Sequence, residues 1–128
     1  MPNNSFDTRF FIEHFYSADT KTRRRTSNII ALSRPRFISV IVLSEVYKLT
    51  MEKEGRDAAK TRTEILAKDF RVVDVDRELA IHAAELRHRY AIPLADSIIA
   101  ATSIKLEATC YTDDPHISKI KGIKARWI

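Results

Sequence analysis

Short runs of β-branched and aromatic residues alternate along this chain with segments of helical period, and that alternation constrains the fold more than any other feature. Residues 70–75, FRVVDV, precede DRELAIHAAELRHRY, in which Leu79, Ala83, Leu86 and Tyr90 recur at helical spacing. The same order appears at 37–54, where FISVIV leads into LSEVYKLTMEKE with Leu43, Val46, Tyr47, Thr50 and Met51 on one stripe. ATCYT at 108–112 reads as a third strand, stopped by the turn signal Asp113-Asp114-Pro115. A last short strand is expected near 123–128, and the N-terminus predicts a brief strand ending near Asp7, then a helix over FFIEHFY and a basic segment helical through Ala31. Glu54-Gly55-Arg56 reads as a helix stop before a second helix over 57–68, an αα-hairpin rather than a domain boundary. Strands separated by helices of this length favour a parallel sheet covered on both faces. The expected class is therefore α/β, one domain over residues 1–128, with a small sheet of four to five parallel strands sandwiched between helices.

Composition narrows the setting. With 45% hydrophobic and 30% charged residues among 128, the chain reads as a soluble globular protein with room for one core. No apolar run approaches the roughly 18 to 20 residues needed to cross a bilayer, and MPNNSFDTRF lacks the apolar stretch of a signal peptide, so a cytoplasmic protein without a membrane partner is expected. The single cysteine, Cys110, sits in a strand-like run and reads as a small buried hydrophobe rather than a disulfide or zinc partner. Lys+Arg 22 against Asp+Glu 17 gives a net charge of +5, which permits a polyanionic partner without demanding one. Lys21, Arg23, Arg24, Arg25, Arg34 and Arg36 cluster early, and Lys119, Lys121, Lys124 and Arg126 cluster late; solvated faces explain both runs equally well.

The stretch IPLADSIIAATSI at 92–104 holds one charged residue, Asp96, in a helix apolar enough to be buried on most faces. An ionised carboxylate there is costly unless a cation or hydrogen bond meets it. In open parallel sheets, function gathers at the C-terminal ends of strands. Asp7 ends the first expected strand, Glu45 lies in the first turn after the second, Asp96 lies in the first turn of its helix, and Asp114 ends the strand that follows. Each has a plain alternative: an offset to the helix macrodipole for Asp96 and Glu45, an N-cap for Asp7, an Asx turn for Asp114. Together, however, four carboxylates at one structural address cannot all stay ionised unless a cation sits among them. Oxygen donors select a hard divalent ion, Mg²⁺ or Mn²⁺, and such a centre suits phosphodiester hydrolysis. His14, His82, His88 and His116 are scattered and form no competing constellation; His82 and His88 read as helix-surface residues. A phosphoacceptor signalling domain also places acids at strand ends, but it needs an early acidic pair, and the one adjacent pair, Asp113-Asp114, is late.

At these residues the chain resembles the PIN domain family, and in particular its small VapC-type toxins. VVDVDRELAIHAAELRHRYAIPLADSIIAATSIKLEATCYTDDPHI at 72–117 is similar in order and spacing to the second half of that family, ISVIVLSEVYKL at 38–49 to its glutamate-bearing helix, and SFDTRFF at 5–11 to its opening motif. Two positions depart from the pattern: MPNNS is polar where an apolar first strand is usual, and Val42 stands where a threonine helix cap is common. The resemblance implies a Mg²⁺- or Mn²⁺-dependent endoribonuclease whose acidic metal site is Asp7, Glu45, Asp96 and Asp114, with Asp7 and Asp96 as principal ligands. Thr112-Asp113-Asp114 fits the family's Thr-x-Asp motif with Asp114 as the ligand-side acid and Asp113 the lesser choice. Thr8, Ser97 and Thr112 are hydroxyls placed to hold carboxylates or waters, or simply to cap. Arg9, Arg23 to Arg25 and Lys48 are candidates for phosphate contact. The resemblance further implies a homodimer and a small antitoxin, with Phe10, Phe11, Phe15 and Tyr16 as contact surface unless they belong to the core. An RNA-processing PIN nuclease without an antitoxin and a non-catalytic PIN scaffold binding RNA or protein are the alternatives.

Overall fold

The computed structural model describes residues 3–128. Five strands, β1 (Asn4–Phe6), β2 (Arg36–Ser39), β3 (Arg71–Val73), β4 (Thr109–Tyr111) and β5 (Lys124–Arg126), form one sheet in the order β3-β2-β1-β4-β5. Every pairing is parallel. Among the described residues seven helices connect and flank the strands: α1 (Thr8–Tyr16), α2 (Thr20–Leu32), α3 (Val40–Glu54), α4 (Arg56–Asp69), α5 (Arg77–Tyr90), α6 (Leu94–Lys105) and α7 (Pro115–Ser118). The α/β expectation and the five-stranded sheet hold. No helix among these residues is long and apolar enough to cross a membrane.

The chain leaves β1 toward β2 and β3 on one side, then returns to build β4 and β5 on the other. β1 and β4 therefore flank the point where strand order reverses, the place at which open α/β sheets present a crevice beyond their strand ends. β1 is central although it is polar, and it is secured by side chains. Ser5 and Ser103 share a hydrogen bond of 2.6 Å that ties the strand to α6. Asn4 Nδ2 donates to Ser33 Oγ at 2.8 Å, and Asn3 Nδ2 donates to the Leu106 carbonyl at 2.8 Å.

The last residue of β1, Phe6, sits in an aromatic cluster. Its ring stacks on Tyr111 with centroids 5.3 Å apart, tilts against Phe10 at 4.8 Å and meets Phe70 edge-on at 5.4 Å. Phe10 and Phe11 are fully buried, so for these two the core reading holds over the contact-surface one. Phe15 and Tyr16 are half-buried beneath Arg62, whose guanidinium lies 4.2 Å from the Phe15 centroid and donates to Glu54 Oε2 at 2.6 Å. Arg62 thus fastens α4 to α1.

One local expectation is corrected. Residues 40–42 were expected to continue the second strand, but they begin α3 because Ser39 ends β2 and its hydroxyl accepts from Ile41 N at 3.2 Å, starting the helix early. Ser39 therefore supplies the cap, and Val42 is fully buried inside the first turn. Burial on a helix overrides the β preference of the Val-Ile-Val run. The hairpin is as expected: Gly55, at φ 97, closes α3 and opens α4, in a left-handed conformation that favours glycine.

Phe6→Ala should remove the centre of the aromatic cluster and lower unfolding free energy by about 3–5 kcal/mol, read as a reduced urea midpoint. A loss below about 1 kcal/mol would show that the cluster repacks and does not hold β1.

Candidate active site

Asp7 follows β1 directly. It occupies the N-cap position of α1, yet its carboxylate makes no capping hydrogen bond. Instead Thr112 Oγ1 donates to Asp7 Oδ2 at 2.6 Å, and the Asp7 side chain is almost fully buried. The capping alternative fails for this residue. The same Thr112 oxygen accepts from Asp114 N at 3.0 Å, so one buried hydroxyl joins the acid after β1 to the acid after β4.

Asp114 caps α7, its Oδ1 accepting from His116 N at 2.9 Å. Asp96 is the only acid in the first turn of α6 and is half-buried there. Glu45 lies in the second turn of α3 rather than the first, since the helix starts at Val40, and the macrodipole reading of Glu45 falls away. Thr8 Oγ1 donates to Glu45 Oε1 at 2.5 Å, binding the start of α1 to α3.

The structure brings together what the sequence spread out. Among the described residues, donor atoms of Asp96, Asp114 and His116 lie within 4.8 Å of one another. Asp7 and Glu45 are not part of that triad, but both act on it electrostatically. Burial pushes the Asp7 carboxyl up to about 6, a rise opposed by the Thr112 and Thr8 hydrogen bonds and reinforced by the charges of Asp96 and Asp114. Asp96 is also raised, first by burial and then by Asp114, with His116 opposing and Glu45 adding to the rise. Asp7 thus feels the charges of Asp96 and Asp114, and Asp96 those of Asp114 and Glu45.

His116, read from sequence as one of four scattered histidines, joins this cluster. Its Nδ1 stands 3.2 Å from Asp96 Oδ2 and 3.3 Å from Asp114 Oδ1. Its position two residues after Asp114 was the available signal, because an Asx-type cap folds residue i+2 back toward the capping carboxylate.

The supporting positions separate. Thr8 and Thr112 hold carboxylates, but Ser97, fully buried, donates to the Leu94 carbonyl at 2.6 Å within its own helix and not to an acid. Asp113 is engaged by the Arg9 guanidinium through both Nε and Nη2. That pairing keeps Asp113 out of the acid cluster and fixes Arg9 at its rim. Arg23, Arg24, Arg25 and Lys48 are exposed. A cavity of about 410 Å³ between α1, α2 and α4 is lined by residues that include His14, Phe15, Arg62 and Phe70 and contains none of the four acids. The acids lie apart from it, at the strand ends.

Oxygen donors crowded at low exposure, with two carboxyls raised above their usual range, fit a small divalent cation. Donor atoms of Asp96, Asp114 and His116 stand close together, whereas Asp7 and Glu45 lie outside that triad.

Asp7→Asn tests the electrostatics without metal. A carboxyl at about 6 in the folded chain and 3.8 unfolded keeps its proton longer when folded, so its favourable contribution is complete below pH 3.8 and is lost as pH rises through 6. In EDTA at pH 7.5 the variant should therefore be more stable than the parent, by up to about 3 kcal/mol. The gain should vanish near pH 3.5, read from urea midpoints across the range. A gain independent of pH would contradict the buried-charge account.

The family model described as PIN domain matches residues 6–123. No curated protein sequence matches the chain significantly. Solved structures with similar folds include VapBC2 from Rickettsia felis bound to a DNA fragment from their promoter, at TM-score 0.78 and 16% identity over 98% of both chains. DNA-bound VapBC from Salmonella typhimurium matches at TM-score 0.78 and 20% identity, over 99% of this chain and 98% of the other. VapC20 from Mycobacterium tuberculosis, a sarcin-ricin loop cleaving toxin, matches at TM-score 0.78 and 23% identity, over 96% of this chain and 98% of that one.

Proposed function

Because this chain belongs to the PIN domain family, we propose that it is a Mg²⁺- or Mn²⁺-dependent endoribonuclease, the toxin of a VapBC-type pair. The observation that carries the reading is the Asp96, Asp114 and His116 cluster beside the point where strand order reverses, with Asp7 tied to the same strand end through Thr112. The fold shared with a toxin described as cleaving the sarcin-ricin loop supports RNA as the substrate class.

Asp96 and Asp114 would hold the ion, with Asp7 as the third principal carboxylate. A bound divalent ion supplies an acidified water and offsets negative charge on the scissile phosphate. The chain's own residues do the positioning. Thr112 keeps Asp7 and Asp114 in fixed relation through one hydroxyl, and Thr8 ties the Glu45 carboxylate to the start of α1. In the displacement the water oxygen bonds to phosphorus, the bond from phosphorus to a ribose oxygen breaks, and that oxygen departs with the electron pair and takes up a proton. Arg9, held at the rim by Asp113, retains Nη1 for a phosphate oxygen, and Arg23 to Arg25 and Lys48 offer exposed charge along the flanks.

Similarity of fold to VapBC assemblies also supports a small antitoxin as partner, whose C-terminal segment blocks the acidic groove. A homodimer acting in the cytoplasm completes the proposal.

The first test is cleavage of a mixed single-stranded RNA with Mn²⁺, Mg²⁺ or EDTA, comparing the parent with Asp96→Asn. Metal-dependent cutting that falls at least about 100-fold in a variant whose thermal unfolding is intact is the expected result. RNA retention without cleavage at any metal concentration would favour a scaffold. Induction alone and with the neighbouring small gene checks the toxin role: growth arrest relieved on co-expression is expected, and unaffected growth points to a processing nuclease.

A further inference from the structure

His116 stands among the carboxylates without belonging to any acidic motif. We propose that its Nδ1 is a direct nitrogen ligand of the ion held by Asp96 and Asp114, and that it tilts this centre toward Mn²⁺ over Mg²⁺. The inference rests on the proposed metal-dependent reading of the same site.

Spacing is the first argument. With bonds of about 2.1 Å, adjacent ligands of an octahedral ion stand about 3 Å apart and opposite ones about 4.2 Å. Nδ1 lies 3.2 Å from Asp96 Oδ2 and 3.3 Å from Asp114 Oδ1, the separation of neighbouring coordination positions. All three donors fall within 4.8 Å of one another, so a small rotamer adjustment of one carboxylate brings them into a single coordination sphere.

The second argument is how the ring is delivered. Asp114 caps α7, Pro115 is its first residue, and the His116 amide donates to Asp114 Oδ1 at 2.9 Å. That backbone turn returns the imidazole to the carboxylate that caps it. The side chain is 47% exposed, so its position is not imposed by close packing. Asp96 arrives independently, from the first turn of α6.

Donor chemistry then sets the preference. Mg²⁺ takes oxygen ligands and gives up water reluctantly, whereas first-row transition ions accept imidazole beside carboxylate. Mn²⁺ satisfies both halves of this donor set. Reluctant dehydration disfavours Mg²⁺ at a carboxylate centre as well, and the imidazole widens that difference.

The same contacts admit the opposite role, in which a cationic ring bridges Asp96 and Asp114 and competes with the metal. The two roles predict opposite signs. Mn²⁺ and Mg²⁺ binding is measured by titration calorimetry on the parent, His116→Ala, Asp96→Asn and the surface control His88→Ala, each checked for folding by thermal unfolding. Pulsed EPR of the Mn²⁺-loaded proteins reads nitrogen coupling directly. The proposal expects ¹⁴N coupling in the parent that is lost in His116→Ala, a Kd for Mn²⁺ raised about 10-fold or more, and a Kd for Mg²⁺ changed less than about 2-fold. Unchanged or tighter Mn²⁺ binding in His116→Ala, with no nitrogen coupling in the parent, overturns it and leaves the acidic centre standing. Absence of any binding in the parent that Asp96→Asn removes overturns the metal-site reading, and this inference with it.

Discussion

Phe6 packs among Phe10, Phe70 and Tyr111, and the acids depend on that contact because Asp7 is the next residue. Dispersion and apolar burial over a ring cluster hold the end of β1 at one height against the end of β4. From that anchor, Asp7 N reaches the Tyr111 carbonyl at 3.2 Å and Thr112 comes into hydrogen-bond range of the Asp7 carboxylate. The position of a charge is thus set by the packing of uncharged rings one residue before it.

Holding these carboxylates close has an electrostatic cost. Burial and mutual repulsion raise Asp7 to about 6 and push Asp96 above its usual range. No nearby lysine or arginine neutralises Asp7 through a hydrogen bond, and Arg9, the nearest guanidinium in sequence, is committed to Asp113. Residues that stabilise a fold pair their charges; here the strain is offset only in part, by hydroxyls. An added cation would relieve that imbalance.

The hydroxyls divide by direction. Thr8 and Thr112 face across elements, to Glu45 and Asp7, whereas Ser97 satisfies its own helix and Ser103 joins Ser5 to lash α6 onto β1. Small residues along α6, with Ala100 and Ala101 fully buried, let that helix approach the sheet closely. Asp96 therefore reaches the strand ends from a helix that is otherwise core.

Sequence alone determined the element order and the address of the acids. Hydrophobic period distinguishes strand from helix locally, and a parallel sheet sends every strand's C-terminal end to one edge, so the placement of Asp7 and Asp114 after their strands, and of Asp96 in a helix's first turn, is legible from the sequence. Where local signals conflict, as in the Val40-Ile41-Val42 run, tertiary burial and the Ser39 cap decided the boundary and moved Glu45 into the second turn. The structure also decided which side chains meet: Thr112 with Asp7, Arg9 with Asp113, Thr8 with Glu45, His116 with Asp96. Those pairs join residues far apart in the chain, and their contact follows from strand order and helix docking, which periodicity along the sequence does not encode.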